Sequence, residues 1–299
     1  MAEALAAGCV HDEWPRNFIF PVEEYLKSHP DTPSKSLLDI IQDMHHDPTI
    51  ANAVTPDDQL NKIAALLEKP AAKAMIPYLA QYQVNSTPAD LQQKTVDMIH
   101  TCAYILGAAQ HPDKVEAIDF VMLHSTTLGI FYPTFMAQDW ISDASKKRLL
   151  QWKGWGDAVI YAGCGCPALY PERIVDYVPK RAGDRWPELC HRANIYPDDG
   201  HAVKVVRAVL NIDGLPAPRP GFPIAKEDFV KIAHITLDSV ERMMDPGGYV
   251  VPDKIRKKFG EEMGQDEEII RVMVRWVRWA GLENAWDYFP NRIVDAASV

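Results

Sequence analysis

Residues 87–107, TPADLQQKTVDMIHTCAYILG, contain a full set of signals for one long helix. Thr87 can cap the first turn, Pro88 suits the first helical position, and Asp90 places a negative charge near the amino terminus. Apolar side chains then recur every three or four positions, and Gly107 is a suitable place for the helix to end. This stretch predicts an amphipathic helix.

The same pattern recurs along the chain, whereas the alternation typical of strands is rare. Ser142 opens a predicted helix that Gly163 can end, and Asp199 is the expected cap of a helix over 200–210. Two more helices are predicted from Thr55-Pro56-Asp57-Asp58 and from an apolar stripe that stops at Gly281 and consists of Ile269, Val272, Met273, Trp276 and Ala280. We therefore expect an all-α fold, an irregular multi-helix bundle.

One segment interrupts this pattern. Residues 211–223, NIDGLPAPRPGFP, are rich in proline and cannot continue a helix. Both flanks have similar amphipathic patterns, so we expect a long surface loop within a single helical domain that spans residues 1–299. No internal repeat of 20–50 residues is present, which argues against a solenoid.

Composition is that of an ordinary globular protein. The net charge of −10 disfavours binding to nucleic acid or to an anionic membrane surface. Five cysteines at irregular spacing do not form a disulfide framework, and no apolar run approaches the ~18 residues of a membrane helix. The amino terminus lacks the basic start of a signal peptide. We expect a cytoplasmic protein with no nucleic-acid partner and no membrane segment.

The first candidate for chemistry lies in Ile118–Phe131. Read as a buried helix, this segment has one apolar face formed by Val121, His124, Leu128 and Phe131. His124 would then point into the interior, where a histidine is most often a core residue bonded to a carbonyl. It could also be a metal ligand or a general base, with Thr126 and Thr127 close enough in sequence to orient it.

The second candidate is the run Asp199-Gly200-His201-Ala202-Val203-Lys204. In a helix, His201 and Lys204 lie one turn apart on the stripe that continues through Val205. Either this is a solvated face with Lys204 reaching into water beside Arg207, or the two side chains act on one centre. An inward-facing lysine must pair, lose its proton or be modified. A neutral amine can be carboxylated and become an oxygen ligand, and imidazole with oxygen donors suits non-haem iron.

Other candidates have structural explanations. The run Asp43-Met44-His45-His46-Asp47 ends a predicted helix before Pro48, where histidines favour the helix dipole. Cys164-Gly165-Cys166 lacks the spacing of a zinc or redox pair, and His11 has only an adjacent acid. The sequence contains no phosphate-binding loop and no dinucleotide fingerprint, so no flavin domain is visible.

Several segments resemble the questin oxidase-like family of fungal and bacterial oxidoreductases. Residues 118–124, IDFVMLH, are similar to the IDFxxMH-type segment of that family. Residues 94–110 resemble its preceding helix, and matching segments follow in the same order at 149–154, LLQWKG, at Trp186-Pro187 and at 199–208, DGHAVKVVRA. The resemblance runs from near residue 1 to about residue 289 and corresponds to the C-terminal part of the family.

This resemblance implies a Baeyer–Villiger-type oxygenase that opens an anthraquinone ring with molecular oxygen and without a flavin domain. NADPH is the expected reductant, and a non-haem iron is expected on histidines and a modified lysine. Carried over by position, the metal ligands are His124, His201 and Lys204; the catalytic residues are His124 and His201, with Thr126 beside them. The substrate is expected to be a small aromatic polyketide in a dry pocket, whose walls would come from Phe131, Tyr132, Trp140, Trp152 and Trp155.

The family pattern also contains N-terminal histidines, including an HPxIHxGYG-like stretch, that this sequence lacks. Two histidines and one lysine are few ligands for an iron ion, and a homodimer could supply the missing ones. Three functions therefore stay open. They are a flavin-independent oxidoreductase acting on a polycyclic aromatic ketone, a helical binding protein derived from that family, and an enzyme that uses His124 or His201 as a general base without metal.

Overall fold

The computed structural model describes residues 13–242 and 274–292, together with Asp253 and Lys257. Its α-helices in chain order are α1 Arg16–Ser28, α2 Leu37–His46, α3 Pro48–Ala51, α4 Lys62–Leu67, α5 Pro70–Leu79, α6 Pro88–Ala108, α7 Met122–Gly129, α8 Tyr132–Met136, α9 Asp143–Gly163, α10 Glu172–Val175, α11 Trp186–Ile195, α12 His201–Ile212 and α13 Phe229–Arg242. Short 3-10 helices cover Lys226–Asp228 and Glu283–Trp286.

Helices account for the regular structure of the described ranges, and the all-α prediction is confirmed. The extended pairing found there is limited to two isolated bridges, Lys114 with Asn291 and Asp119 with Val277. None of the described helices combines the length and apolar character needed to cross a bilayer.

The two longest of these helices, α6 and α9, pack against each other at the centre. A Cβ at Gly154 of α9 would come within 2.1 Å of the Tyr82 ring, so this close approach requires glycine. Deeper between the helices, Lys153 and Asp157 form a buried ion pair at 2.5 Å, and the Asp157 carboxylate accepts a hydrogen bond from the Cys102 thiol. Although burial opposes its charge, the adjacent Asp157 raises the pKa of Lys153.

The helix starts predicted at Thr87 and Ser142 are confirmed. The Thr87 hydroxyl accepts the Asp90 amide, and the Ser142 hydroxyl accepts the Ser145 amide. The second helix ends at Gly163, as predicted, and the first continues one residue past Gly107.

The helix predicted from Thr55 does not form. Asp58 accepts hydrogen bonds from both the amide and the hydroxyl of Thr55, which closes a turn, and Lys69 binds the same carboxylate at 2.6 Å. The next helix begins only at Lys62, capped by Asn61. The sequence shows the local cap but not the lysine that holds the carboxylate in the turn.

The helix predicted to end at Gly281 does not include Trp276 and Ala280, so this prediction is wrong for those two residues. The other members of its apolar stripe, Ile269, Val272 and Met273, lie outside the described residues. In place of helical bonds, Val277 pairs with the chain at residues 118–120: its carbonyl accepts the Phe120 amide at 2.7 Å, and its amide donates to Ile118 at 3.0 Å. The side chains of Trp276 and Ala280 are buried, as their apolar character suggests, but the segment that carries them is not helical.

The predicted loop over 211–223 is shifted by two residues, because α12 continues to Ile212. Phe222 of this loop packs against the buried His100 of α6, with ring centroids 6.1 Å apart, and Phe229 approaches the same imidazole at 5.1 Å. Neither ring nitrogen of His100 has a hydrogen-bond partner in the described part of the chain. Burial, with a smaller effect of Lys226, lowers the pKa of His100 to about 4.

We expect His100 to make the protein less stable as the pH falls. The imidazole titrates near 6.5 when unfolded and at about 4 when folded, so the unfolded chain takes up the proton first. Between pH 7 and pH 4.5 this difference removes about 2 kcal/mol from the free energy of unfolding. His100→Phe should remove that part of the pH dependence in urea titrations, whereas replacing the exposed His46 should not. Parallel stability curves for His100→Phe and wild type would contradict this assignment.

Candidate functional site

Helix α7 carries His124, and a buried carboxylate determines where this helix begins. One oxygen of Asp119 accepts the amides of Val121 and Met122, at 2.7 and 2.9 Å. The other oxygen accepts the amide of Ala280 at 2.8 Å, so the same side chain connects α7 to the segment 274–292. Burial raises the pKa of Asp119, and these three donors oppose that shift by stabilising the carboxylate.

The prediction that His124 points into the interior is wrong. Helix α7 spans only Met122–Gly129, and its buried face carries Met122, Leu123, Ser125, Thr126 and Gly129. His124 lies on the outer face, where Leu128 and Phe131 are 47% and 45% exposed. The reason is the cap at Asp119, which sets the start of the helix and therefore the direction of each side chain.

Helix α12 presents His201 at its first position. Its cap is Gly200, with φ of 89°, and the side chain that binds the first turn is Asp198, which accepts the amides of Gly200 and Ala202 at 2.8 Å each. The predicted cap, Asp199, instead contacts His201, with 2.6 Å between Oδ1 and Nδ1. A carboxylate can only accept, so Nδ1 of His201 is the donor in this contact.

His124 and His201 lie side by side, which confirms their predicted proximity. Their ring centroids are 5.4 Å apart with the planes nearly perpendicular. Phe120 contacts both imidazoles, at 5.3 Å for His124 and 4.7 Å for His201, and the guanidinium of Arg278 lies 4.2 Å from the Phe120 ring. Phe120, an aromatic residue that helical spacing alone does not mark as functional, thus holds the pair in place.

The surroundings of His124 favour the neutral form of its imidazole. Partial desolvation lowers the pKa of His124, and the electrostatic interactions with His201 and Lys204 lower it further. An imidazole whose pKa lies below its ordinary value of 6.5 is neutral at pH 7 and can accept a proton or bind a metal.

Lys204 does not face the interior. Its side chain is exposed, as is that of Arg207 one turn later, so the alternative of a solvated face describes this part of α12. The interior-facing stripe of α12 is formed by Ala202, Val205, Val206 and Val209. The role of Lys204 as a carboxylated metal ligand stays a prediction.

Thr126 lies away from the two histidines. It is buried on the inner face of α7, and its hydroxyl donates to the Cys102 carbonyl of α6 at 2.9 Å. Two positions along a helix correspond to about 200° of rotation, which places Thr126 nearly opposite His124. The structure thus places Thr126 on the other face of α7 from His124, and its catalytic role stays a prediction.

A surface cavity of about 530 Å³ lies in front of His124. Its lining residues are His124, Thr127, Leu128, Ile130, Phe131, Lys204 and Arg207. Of the predicted aromatic walls only Phe131 lines this cavity. Tyr132 and Trp155 are buried in the core, Trp140 is 65% exposed, and Trp152 donates to Glu23 beneath Arg148.

The described residues fit a metal only in part. Two neighbouring imidazoles are suitable donors, yet no three His, Cys, Asp or Glu side chains within the described ranges come close enough to share an ion. The weaker candidates have the expected structural roles: His45 and His46 bond to the carbonyls of Cys166 and Gln42. Cys164 and Cys166 are buried thiols, and His11 lies outside the described residues.

Comparison with known proteins identifies the relatives of this chain. The model of the family described as questin oxidase-like matches residues 1–209. The chain belongs to the questin oxidase-like family. It is 45% identical over 293 residues to "Oxidoreductase AflY" of Aspergillus parasiticus, covering 97% of this chain and 59% of that protein.

Two further members are more distant. The "Baeyer-Villiger oxidase ptaJ" of Pestalotiopsis fici is 31% identical over 84% of this chain and 57% of its own length. The "Questin oxidase" of Aspergillus terreus is 28% identical over 80% of this chain and 55% of its own length. This questin oxidase-like chain therefore spans a little over half the length of the curated relatives that it matches.

We expect Asp119→Asn to destabilise this questin oxidase-like chain by about 1–3 kcal/mol, because the amide nitrogen would face an N–H that now binds a carboxylate oxygen. The change should also move His124 away from Phe120 and His201. This movement would be measured as changed NMR chemical shifts of the two imidazoles. Urea unfolding gives the first quantity, and the exposed Asp113→Asn is the matched control. Equal stability of the two variants would contradict the role given to Asp119.

We expect Lys204→Met and Lys204→Arg each to change the free energy of unfolding by no more than about 0.5 kcal/mol, as for ordinary surface substitutions. The exposed position of Lys204 is the reason. Thermal and urea unfolding of both variants measure it. A large destabilisation confined to Lys204→Arg would instead indicate an amine packed in the interior.

Proposed function

We propose that this chain carries the reactive site of an oxygen-dependent oxidoreductase that performs a Baeyer–Villiger-type oxidation of a polycyclic aromatic ketone such as an anthraquinone. The observation that supports this most is the pair of imidazoles of His124 and His201 beside a largely apolar cavity. Family membership adds the reaction type, since relatives carry the names oxidoreductase, questin oxidase and Baeyer-Villiger oxidase.

In the proposed reaction one atom of molecular oxygen enters the bond between the carbonyl carbon and a ring carbon. That carbon–carbon bond breaks and a cyclic ester forms, whose hydrolysis opens the ring. The second oxygen atom leaves as water, which consumes two electrons and two protons. NADPH is the proposed source of the electrons, as a hydride, and one proton comes from the medium.

The residues of the site suit the proton transfers in this scheme. In its neutral form His201 donates through Nδ1 to Asp199, and Nε2 can then accept a proton from a reacting group and return it later. Neutral His124 offers a second acceptor. Leu128, Ile130 and Phe131 give the cavity an apolar wall that limits water around the reacting carbonyl.

Iron enters this proposal only through the family resemblance. When bound, such an ion would activate oxygen, and His124 and His201 are the donors that the described residues offer. An ion site needs further donors than these two imidazoles. We therefore propose that the chain with these residues alone holds iron weakly, and that Lys204 joins only if its amine is modified.

Cytoplasmic location, NADPH dependence and a homodimer remain parts of the proposal. The alternative function is a helical binding protein that takes up the aromatic compound without oxidising it. An enzyme that uses the Asp199–His201 pair as a general base is favoured by the 2.6 Å contact between them, and it would act without oxygen.

The proposed function is tested by mass spectrometry of a hydroxylated anthraquinone incubated with the protein, NADPH and ¹⁸O-labelled oxygen. We expect one ¹⁸O atom in the ring-opened acid. His124→Gln and His201→Gln should each lower the rate at least about 100-fold, the usual size of a general acid–base contribution. The exposed His46→Gln is the matched control and should keep the wild-type rate.

Three outcomes would count against the proposal. Uptake of the anthraquinone with no product would favour the binding protein, and a product without ¹⁸O would favour general-base chemistry. Full activity in both His124→Gln and His201→Gln would show that the reaction takes place elsewhere in the chain.

A further inference from the structure

Two cations line one side of the cavity in front of His124. Lys204 and Arg207 follow His201 at intervals of three residues, so the three side chains form a track along one face of α12. Both cations are exposed and both line the cavity. The track therefore leads from the imidazole pair to a positively charged end.

The opposite side of the cavity is apolar. Leu128 and Phe131 are 47% and 45% exposed there, and Ile130 lies between them in sequence. Large apolar side chains left open next to positive charges form a surface suited to a flat ring system with a charged edge.

The two cations stand out in an acidic protein. The chain has a net charge of −10, and many of its basic side chains pair with carboxylates, as Arg148 does with Glu23. Within the described ranges no carboxylate forms an ion pair with Lys204 or Arg207. Their positive charge is thus available to a ligand.

We propose that this cavity selects the anionic form of its aromatic ligand, with Arg207 as the main anchor of an ionised phenol or carboxylate and Lys204 as a second cation. The guanidinium can hold such an oxygen through paired N–H donors, which a lysine cannot reproduce. The ring system then lies against Leu128 and Phe131. This inference rests on the proposed function and adds the charge of the substrate and the residues that recognise it.

The anchor also determines which carbonyl meets the histidines. Arg207 lies six positions after His201 in α12, a rise of about 9 Å along the helix. Three fused six-membered rings extend over a comparable length. An acidic group held at Arg207 therefore lays the ring system along this face of α12, and the position of that group on a terminal ring decides which of the two carbonyls of the central ring faces His124 and His201.

The test compares binding of anthraquinone-2-carboxylate with that of its neutral carboxamide, followed by tryptophan fluorescence at low and high salt. Wild type should bind the carboxylate about tenfold more tightly than the carboxamide, the size expected for a charge-assisted hydrogen bond. Arg207→Gln should remove that preference and change carboxamide binding less than about twofold, since the apolar wall is intact. Arg207→Lys should keep part of it.

Lys73→Gln removes one exposed positive charge on α5 and should leave both affinities unchanged. Salt should weaken binding of the carboxylate only. Equal affinity of wild type for the two probes, no binding of either, or equal losses in Arg207→Gln and Lys73→Gln would overturn the proposal. Neither probe needs to react, so failure here is distinct from failure of the oxidation, which ¹⁸O incorporation reports separately.

Discussion

The carboxylate of Asp119 is the interaction on which the site depends. It accepts three backbone amides in a buried position, two at the start of α7 and one from Ala280. A buried charge is stable only when such donors compensate its lost hydration. Because these donors belong to two distant parts of the chain, one side chain fixes both the start of α7 and the packing of 274–292 against it. The direction of His124 follows from that start.

The inner face of α7 is held as firmly as its first turn. Lys153 of α9 donates to the Ser125 carbonyl while it pairs with Asp157, and the Thr126 hydroxyl bonds to Cys102 of α6. These polar contacts under the helix leave its other face for the cavity. The inner face of α7 therefore gives the site a fixed support. Phe120 positions both imidazoles, and Asp199 also positions that of His201.

Much of the fold could be predicted from local signals, because caps such as Thr87 and Ser142 lie within a few residues of the helix that they start. The proximity of His124 and His201 was also predictable from the family resemblance. What the sequence could not show was long-range pairing. Bonds to Val277 replaced a predicted helix, Asp119 turned the apolar face of α7 outward, and Lys204 proved exposed, since helical spacing alone does not say which face meets the core.

Native-state hydrogen exchange tests the role of Asp119 most directly. If one carboxylate joins α7 to 274–292, the amides of Val121, Met122 and Ala280 should open together with one free energy. In Asp119→Asn all three should exchange faster by a common factor, while amides in the middle of α6 change less. Fast exchange of the Val121 and Met122 amides with Ala280 still protected would contradict the account, because the start of α7 would then be independent of the segment that the carboxylate is said to hold.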